Sequence, residues 1–250
     1  MSGVPLLAEV IEAHGGSEAW RASPELELQV SAGGLAVAAK LQRSGLHNLV
    51  ARVATAQQRV VFTPYPRRGH RGVFEQGAVR VEAADGRVIH ERSHPRDDLK
   101  GPRRLLWWDN LDLLYFGASS LWTYMAMPFI FAERGFDVSA GDEWVEQGQV
   151  WRRLAVTFSD EIHTHSRQQV VYVGDDGLIR RHDYTAEEFG AWAASAHYWF
   201  DYHAFDALIV PRQRRVFVRR SDGRSRRHPL LVWINVQDVA RAGNHAQPNL

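Results

Sequence analysis

The chain switches between two hydrophobic periods. Leu6, Leu7, Val10, Ile11 and His14 recur at helical spacing, and Gly15-Gly16 supplies a stop before Ser17, which can cap a short second helix carrying Trp20. Beyond Pro24 the period falls to two, in Leu26/Leu28/Val30, Leu35/Val37/Ala39/Leu41 and Leu49/Ala51/Val53, with Gly-containing breaks between the runs. Alternate residues of a half-buried strand face the core, so these runs predict an antiparallel meander. "ADGR" at 84–87, "DDG" at 175–177 and "SDGR" at 221–224 lie between alternating runs. There Asp-Gly provides the positive-φ geometry of a tight hairpin.

In the middle the period becomes helical again. Leu111, Leu114, Tyr115, Ala118, Trp122 and Met125 form one stripe, with Asp109 or Asn110 as caps, until Pro128 interrupts it. The pattern predicts a helical insertion at about 107–134 in a protein that is mainly β with α (α+β). Leu113 to Ala132 carry no charge, a stretch of twenty residues that is long enough to span a bilayer. Gly117, Ser119, Ser120, Thr123 and Pro128 dilute its hydrophobicity, and strand patterns flank it, so we expect a buried or lid-forming helix and no membrane span. Strand patterns resume through "WVEQGQVWRRLAVTFSDEIHTHSRQQVVYVGDDGLIRRHDY" and end in "LLVWINVQDV". No repeat or linker divides the chain. One domain over 1–240 is expected, with a disordered tail at 241–250.

Composition narrows the function classes. A net charge of +1 gives no general attraction to nucleic acid or anionic lipid. With no cysteine there is no disulfide, thiolate nucleophile or thiolate metal site. The opening "MSGVPLLAEVIEAHGG" lacks the basic and long apolar regions of a secretory signal, so a cytoplasmic location is the expectation.

Candidate chemistry concentrates at 181–206, "RHDYTAEEFGAWAASAHYWFDYHAFD". On the strand period His182 and Tyr184 share one face, and Arg181 and Asp183 take the other; His197, Trp199, Asp201 and His203 share a face of the next strand. An imidazole, a carboxylate and a phenol within reach of each other form an acid/base set, so His182, Tyr184, His197 and His203 are the candidate catalytic residues. They are expected to converge on a pocket, with Asp183 outward against an arginine. Trp108, Tyr115, Trp122 and Tyr124 of the insertion are candidate ligand-lining aromatics. "EIHTH" puts His163 and His165 on one face, but no nearby carboxylate completes a familiar metal site, and neither metal nor cofactor is expected.

In order and pattern the chain resembles the half-barrel superfamily of the lipoprotein carriers LolA and LolB and the lipid-binding LppX. The resemblance runs through "HGGSEAW", the meander, the helical insertion, "GDEWVEQGQVWRRLAV", "YVGDDGLIRRHDY" and "VPRQRRVF". The chain is also similar to a group of uncharacterised cytoplasmic bacterial proteins sharing "RRHDY" and "AAHY"-like segments, here Arg180–Tyr184 and Ser195–Tyr198. The superfamily implies a strongly curved antiparallel sheet whose concave face, covered by helices, holds acyl chains. The eight arginines of "RQRRVFVRRSDGRSRRHP" are then expected on the convex, solvated face rather than on nucleic acid. Together these readings predict binding of a hydrophobic small molecule in the cavity of a curved sheet. The alternative is an enzyme on the same scaffold, using the His/Tyr/Asp group for isomerisation, cyclisation or hydration. A protein-interaction module using the arginine hairpin is a third class, and no particular protein partner is indicated.

Overall fold

Two helices open the computed structural model, which describes residues 5–42, 45–99, 101, 106–190 and 192–242. They are α1 (Pro5–Ala13) and α2 (Gly16–Arg21), and the residue that precedes α2 is Gly15 at φ 109, so Ser17 lies inside the helix rather than capping it. A Cβ at Gly15 would fall 2.0 Å from the Ala207 carbonyl oxygen, and only glycine fits so close to that backbone.

The period-two runs then build two meanders. The first is β1 (Glu25–Gly33), β2 (Leu49–Ala54), β3 (Arg59–Thr63), β4 (His70–Glu75), β5 (Ala78–Ala83) and β6 (Val88–Arg92). The second is β7 (Asp137–Glu146), β8 (Gln149–Thr157), β9 (Gln168–Val173), β10 (Ile179–Thr185), β11 (Ala194–Phe205), β12 (Leu208–Arg219) and β13 (Ser225–Arg241). All three Asp-Gly turns sit at hairpins, between β5 and β6, β9 and β10, and β12 and β13. β13 returns to pair with β1, which joins the meanders into one antiparallel sheet ordered β6-β5-β4-β3-β2-β1-β13-β12-β11-β10-β9-β8-β7. One run departs from the strand pattern. Leu35–Ala38, "LAVA", forms the short helix α3, because two alanines favour helix and Gly34 at φ 131 turns the chain out of the sheet. The expected tail lies outside the described residues from position 243 onward; Arg241 still belongs to β13.

Between the meanders lie α4 (Pro95–Asp98), the long helix α5 (Asn110–Ala126) and a 3-10 turn at Phe129–Ala132 beyond Pro128. Asp109 caps α5 and Asp112 reaches back to the Asp109 amide, a capping box that Arg92 holds through both carboxylates at 2.8 and 2.6 Å. Every residue from Leu111 to Ala126 except Gly117 is buried. Among the described residues no helix is long and apolar enough to cross a membrane. The helix finds its apolar surroundings inside the sheet. The Gln58 side chain, just before β3, bonds both the N–H and the carbonyl of His163 at 2.8 and 3.0 Å, so the two halves of the sheet bend until they meet around α5. The result is the mainly β half-barrel with helices on its concave face.

The convex side of β8–β12 carries a second small core of Trp151, Tyr172, Ala196 and Tyr198. Arg181 lies among these rings, paired with Asp183 and Glu146 at 2.7 Å. Asp183 thus faces away from the interior against arginine, and it is buried there.

Trp122 fixes α5 to the first meander: its ring is buried and its Nε1–H donates to the Ala54 carbonyl at 2.8 Å. Trp122→Ala should lower the unfolding free energy in urea by about 3–5 kcal/mol, through the cavity and the unpartnered carbonyl. A loss below about 1 kcal/mol would place this contact outside the core.

Candidate functional site

Pairing of β10 with β11 sets His182 directly opposite His197, and Tyr184 opposite Ser195. Their shared face turns inward onto α5, where the Tyr124 ring meets His197 at 4.6 Å and His182 at 6.2 Å. Three of the four candidate catalytic residues, His182, Tyr184 and His197, therefore lie together. His203 does not join them. Asp201 adopts a left-handed φ of 56, which breaks the alternation of β11. Tyr202 turns inward instead and donates to the Ile179 carbonyl, while His203 lies outside, 46% exposed, against Asp201.

The hydrogen-bonded centre of the cluster comes from the loop between β8 and β9. His165 places Nδ1 2.9 Å from the Glu188 carboxylate, and its Nε2 lies 2.8 Å from the Tyr124 hydroxyl and 3.1 Å from that of Ser120. Ser120 gives its proton to the Phe116 carbonyl, so in the neutral ring Nδ1–H donates to Glu188 and Nε2 accepts from Tyr124. Tyr124 in turn bonds Tyr184 at 2.9 Å. Glu188, His165, Tyr124 and Tyr184 thus form one buried chain. Burial pushes the Glu188 carboxyl up, but the charge and hydrogen bond of His165 outweigh it, and its pKa is lowered overall. Burial drives the two tyrosine hydroxyls well above the usual phenol range.

Sequence reasoning missed Glu188, which sits in a turn without periodicity, and weighed His165 only as a metal ligand beside His163. The two histidines diverge: His163 faces the Tyr115 hydroxyl at 3.1 Å and the Phe74 ring. It also missed Arg214, grouped with the convex arginines. On β12 Arg214 is in phase with the buried Val210 and Val216, and that phase carries it inside, 1% exposed and stacked 3.8 Å from the Trp199 ring.

A cleft of about 290 Å³ opens beside this cluster. Leu35, Ala36 and Ala39 around α3 form one wall, Phe189, Trp192 and Ala193 the other, and Val216, Leu231 and Val232 contribute the floor. Its inner end reaches Phe116, His165, Tyr184 and Ser195. Trp192 at 76% and Leu35 at 52% exposed mark the mouth. Past Phe116, Tyr184 and Val232, which line both, a narrow apolar pocket of about 40 Å³ continues to Tyr124. Of the four aromatics expected to line a ligand, Tyr124 borders this inner pocket. Trp108 packs behind it on Phe116 and Phe189, Tyr115 points to His163, and Trp122 borders a separate depression near Trp20 and Phe129.

No family model matches the sequence, and no curated protein matches it significantly. Solved structures do. A family protein of Desulfovibrio piger with a domain of unknown function, DUF1329, superposes with a TM-score of 0.53 at 12% identity, covering 97% of this chain and 95% of that one. A LolA superfamily protein from Nitrosomonas europaea gives 0.51 at 9%, over 92% and 91%. A Vibrio parahaemolyticus domain assigned to outer membrane lipoprotein sorting gives 0.51 at 9%, over 95% and 94%. The fold is therefore LolA-like, and at these identities the likeness concerns the fold alone.

The buried histidines make stability depend on pH. Burial lowers the His14 pKa to about 4 from an ordinary 6.5, and lowers those of His182 and His197 well below that value. The unfolded chain takes up these protons first, so stability is complete above about pH 6.5 and falls as the pH drops toward 4. His14 alone should account for about 2 kcal/mol between pH 7.5 and 5, because each pH unit below 6.5 at which only the unfolded chain holds the proton costs roughly 1.4 kcal/mol. Urea unfolding at the two pH values measures this, and His14→Asn should flatten part of the difference. A pH-independent wild type would contradict the burial of neutral rings.

Proposed function

We propose that the chain binds a hydrophobic small molecule in the cleft between α3 and the facing Ala186, Phe189, Trp192 and Ala193. The observation that carries this reading is an apolar cleft open to solvent beside an exposed tryptophan and ending on a fully hydrogen-bonded polar chain. Apolar walls provide affinity, and a few convergent polar groups orient a ligand. The fold shared with a lipoprotein-sorting domain supports the same reading. A cytoplasmic location remains part of the proposal.

Nile red, a neutral apolar dye, tests the cleft by its fluorescence. Wild type should bind it, and Ala36→Trp, which puts a ring in the cleft, should weaken binding about tenfold or more. Trp192→Ala should also weaken it while changing stability by less than about 0.5 kcal/mol, since the ring is mostly exposed. Undiminished binding by Ala36→Trp would refute the assignment.

The second reading is acid/base catalysis, and the Glu188–His165–Tyr124–Tyr184 chain favours it. A carboxylate that fixes the imidazole tautomer leaves Nε2 as a base: it takes the Tyr124 hydroxyl proton as Tyr124 takes that of Tyr184, and the Tyr184 oxygen takes the substrate's proton at the inner end of the cleft. The original candidates His182 and His197 lie behind this chain. With 2-decanone in D₂O, wild type should accelerate exchange of the protons next to the carbonyl. His165→Phe should abolish the acceleration and keep dye binding. Equal rates in the two proteins would leave the binding reading alone.

A further inference from the structure

Arg214 is a buried cation with no anion paired to it among the described residues. Its Nη2 donates to the Tyr124 carbonyl at 3.0 Å, while Nε and Nη1 have no hydrogen-bond partner among the described residues. It forms no ion pair with a carboxylate of the described residues. The contrast with Arg181 is direct, since that equally buried guanidinium is held by Asp183 and Glu146. A guanidinium keeps its proton at any ordinary pH, so it cannot escape desolvation by neutralising. Stacking on Trp199 offsets part of the cost, and an uncompensated buried charge remains destabilising.

The neighbourhood also names the kind of group that would compensate it. The unpartnered atoms beside Arg214 include the Trp199 Nε1–H, which only donates. His14 Nε2 adds an acceptor, because its ring gives the Nδ1 proton to the Val10 carbonyl. An oxygen of a carboxylate accepts from the guanidinium and indole donors. The chamber that Arg214, Trp199, His14 and Tyr124 share has a volume of about 10 Å³, room for one oxygen of an entering carboxylate. Tyr124 borders this chamber and also the inner pocket of the cleft, so its side chain is shared by the two.

We propose that Arg214 receives the acidic end of an apolar monocarboxylate whose chain lies in the cleft. The proposal rests on the cleft being the ligand site and adds the chemical class of the ligand. Desolvation lowers the Arg214 pKa to about 10, and a carboxylate beside it stabilises the charged form.

Displacement of Nile red at pH 8 by decanoate and by 1-decanol tests it, because the two differ only at the polar end. Wild type should prefer decanoate at least tenfold. Arg214→Met should lose that preference, bind decanol as before, and melt at a higher temperature than ligand-free wild type; Arg214→Lys should keep part of the preference. Equal wild-type affinity for acid and alcohol overturns the proposal and leaves the cleft standing, and that comparison needs no variant to fold. A preference that survives in Arg214→Met, or disappears in Lys40→Met at the cleft wall instead, also overturns it. Failure of wild type to bind Nile red removes the cleft reading and the acid site together.

Discussion

The structure depends on the burial of α5. A seventeen-residue helix with apolar residues around its whole circumference has no stable place on a surface, and the described helices do not reach membrane-spanning length and hydropathy. The sheet solves this by bending around it. A flat sheet would cover one side only; the Gln58–His163 bridge closes the halves over the other. The charged groups at the helix start, Asp109, Asp112 and Arg92, satisfy one another at the rim, and the interior hydroxyls of Ser119, Ser120 and Thr123 bond carbonyls one turn back.

That arrangement forces a division among the polar residues of β10–β12. Those on the convex face, such as Arg181 and Asp183, find complementary charges. Those on the concave face meet α5, where Tyr124 reaches across to His165 and Tyr184. His197, the Nδ1 of His182, the Trp199 N–H and most of the Arg214 guanidinium are left without hydrogen-bond partners among the described residues. Unsatisfied buried groups at this density oppose folding, and proteins carry such groups chiefly at functional sites. Tyr124 touches the inner pocket, the hydrogen-bonded chain and the buried cation alike.

Much of this was legible in the sequence. The opening helices, the meander, the three Asp-Gly hairpins and the helix broken at Pro128 follow from period and turn chemistry, and the same period turned His182, Tyr184 and His197 to one face. The misses have local causes. "LAVA" is too short for period two to exclude a helix, and a left-handed Asp201 reversed the facing of His203. Glu188 and His165 meet through loops, whose geometry no periodicity encodes. Arg214 was legible in principle, since it alternates with Val210 and Val216, but its sequence neighbours made it look like one more surface arginine.

The most direct test of a site that runs from an apolar mouth to a buried cation is the ionisation of a bound acid. Decanoate labelled with ¹³C at the carboxyl reports its own protonation by NMR as the pH is lowered while the protein stays folded. The account predicts a bound resonance, distinct from the free acid, that titrates at markedly lower pH because the guanidinium stabilises the carboxylate. A bound carboxyl that titrates with the free acid, or at higher pH, would contradict it, since that behaviour belongs to a head group left in solvent or buried without a cation.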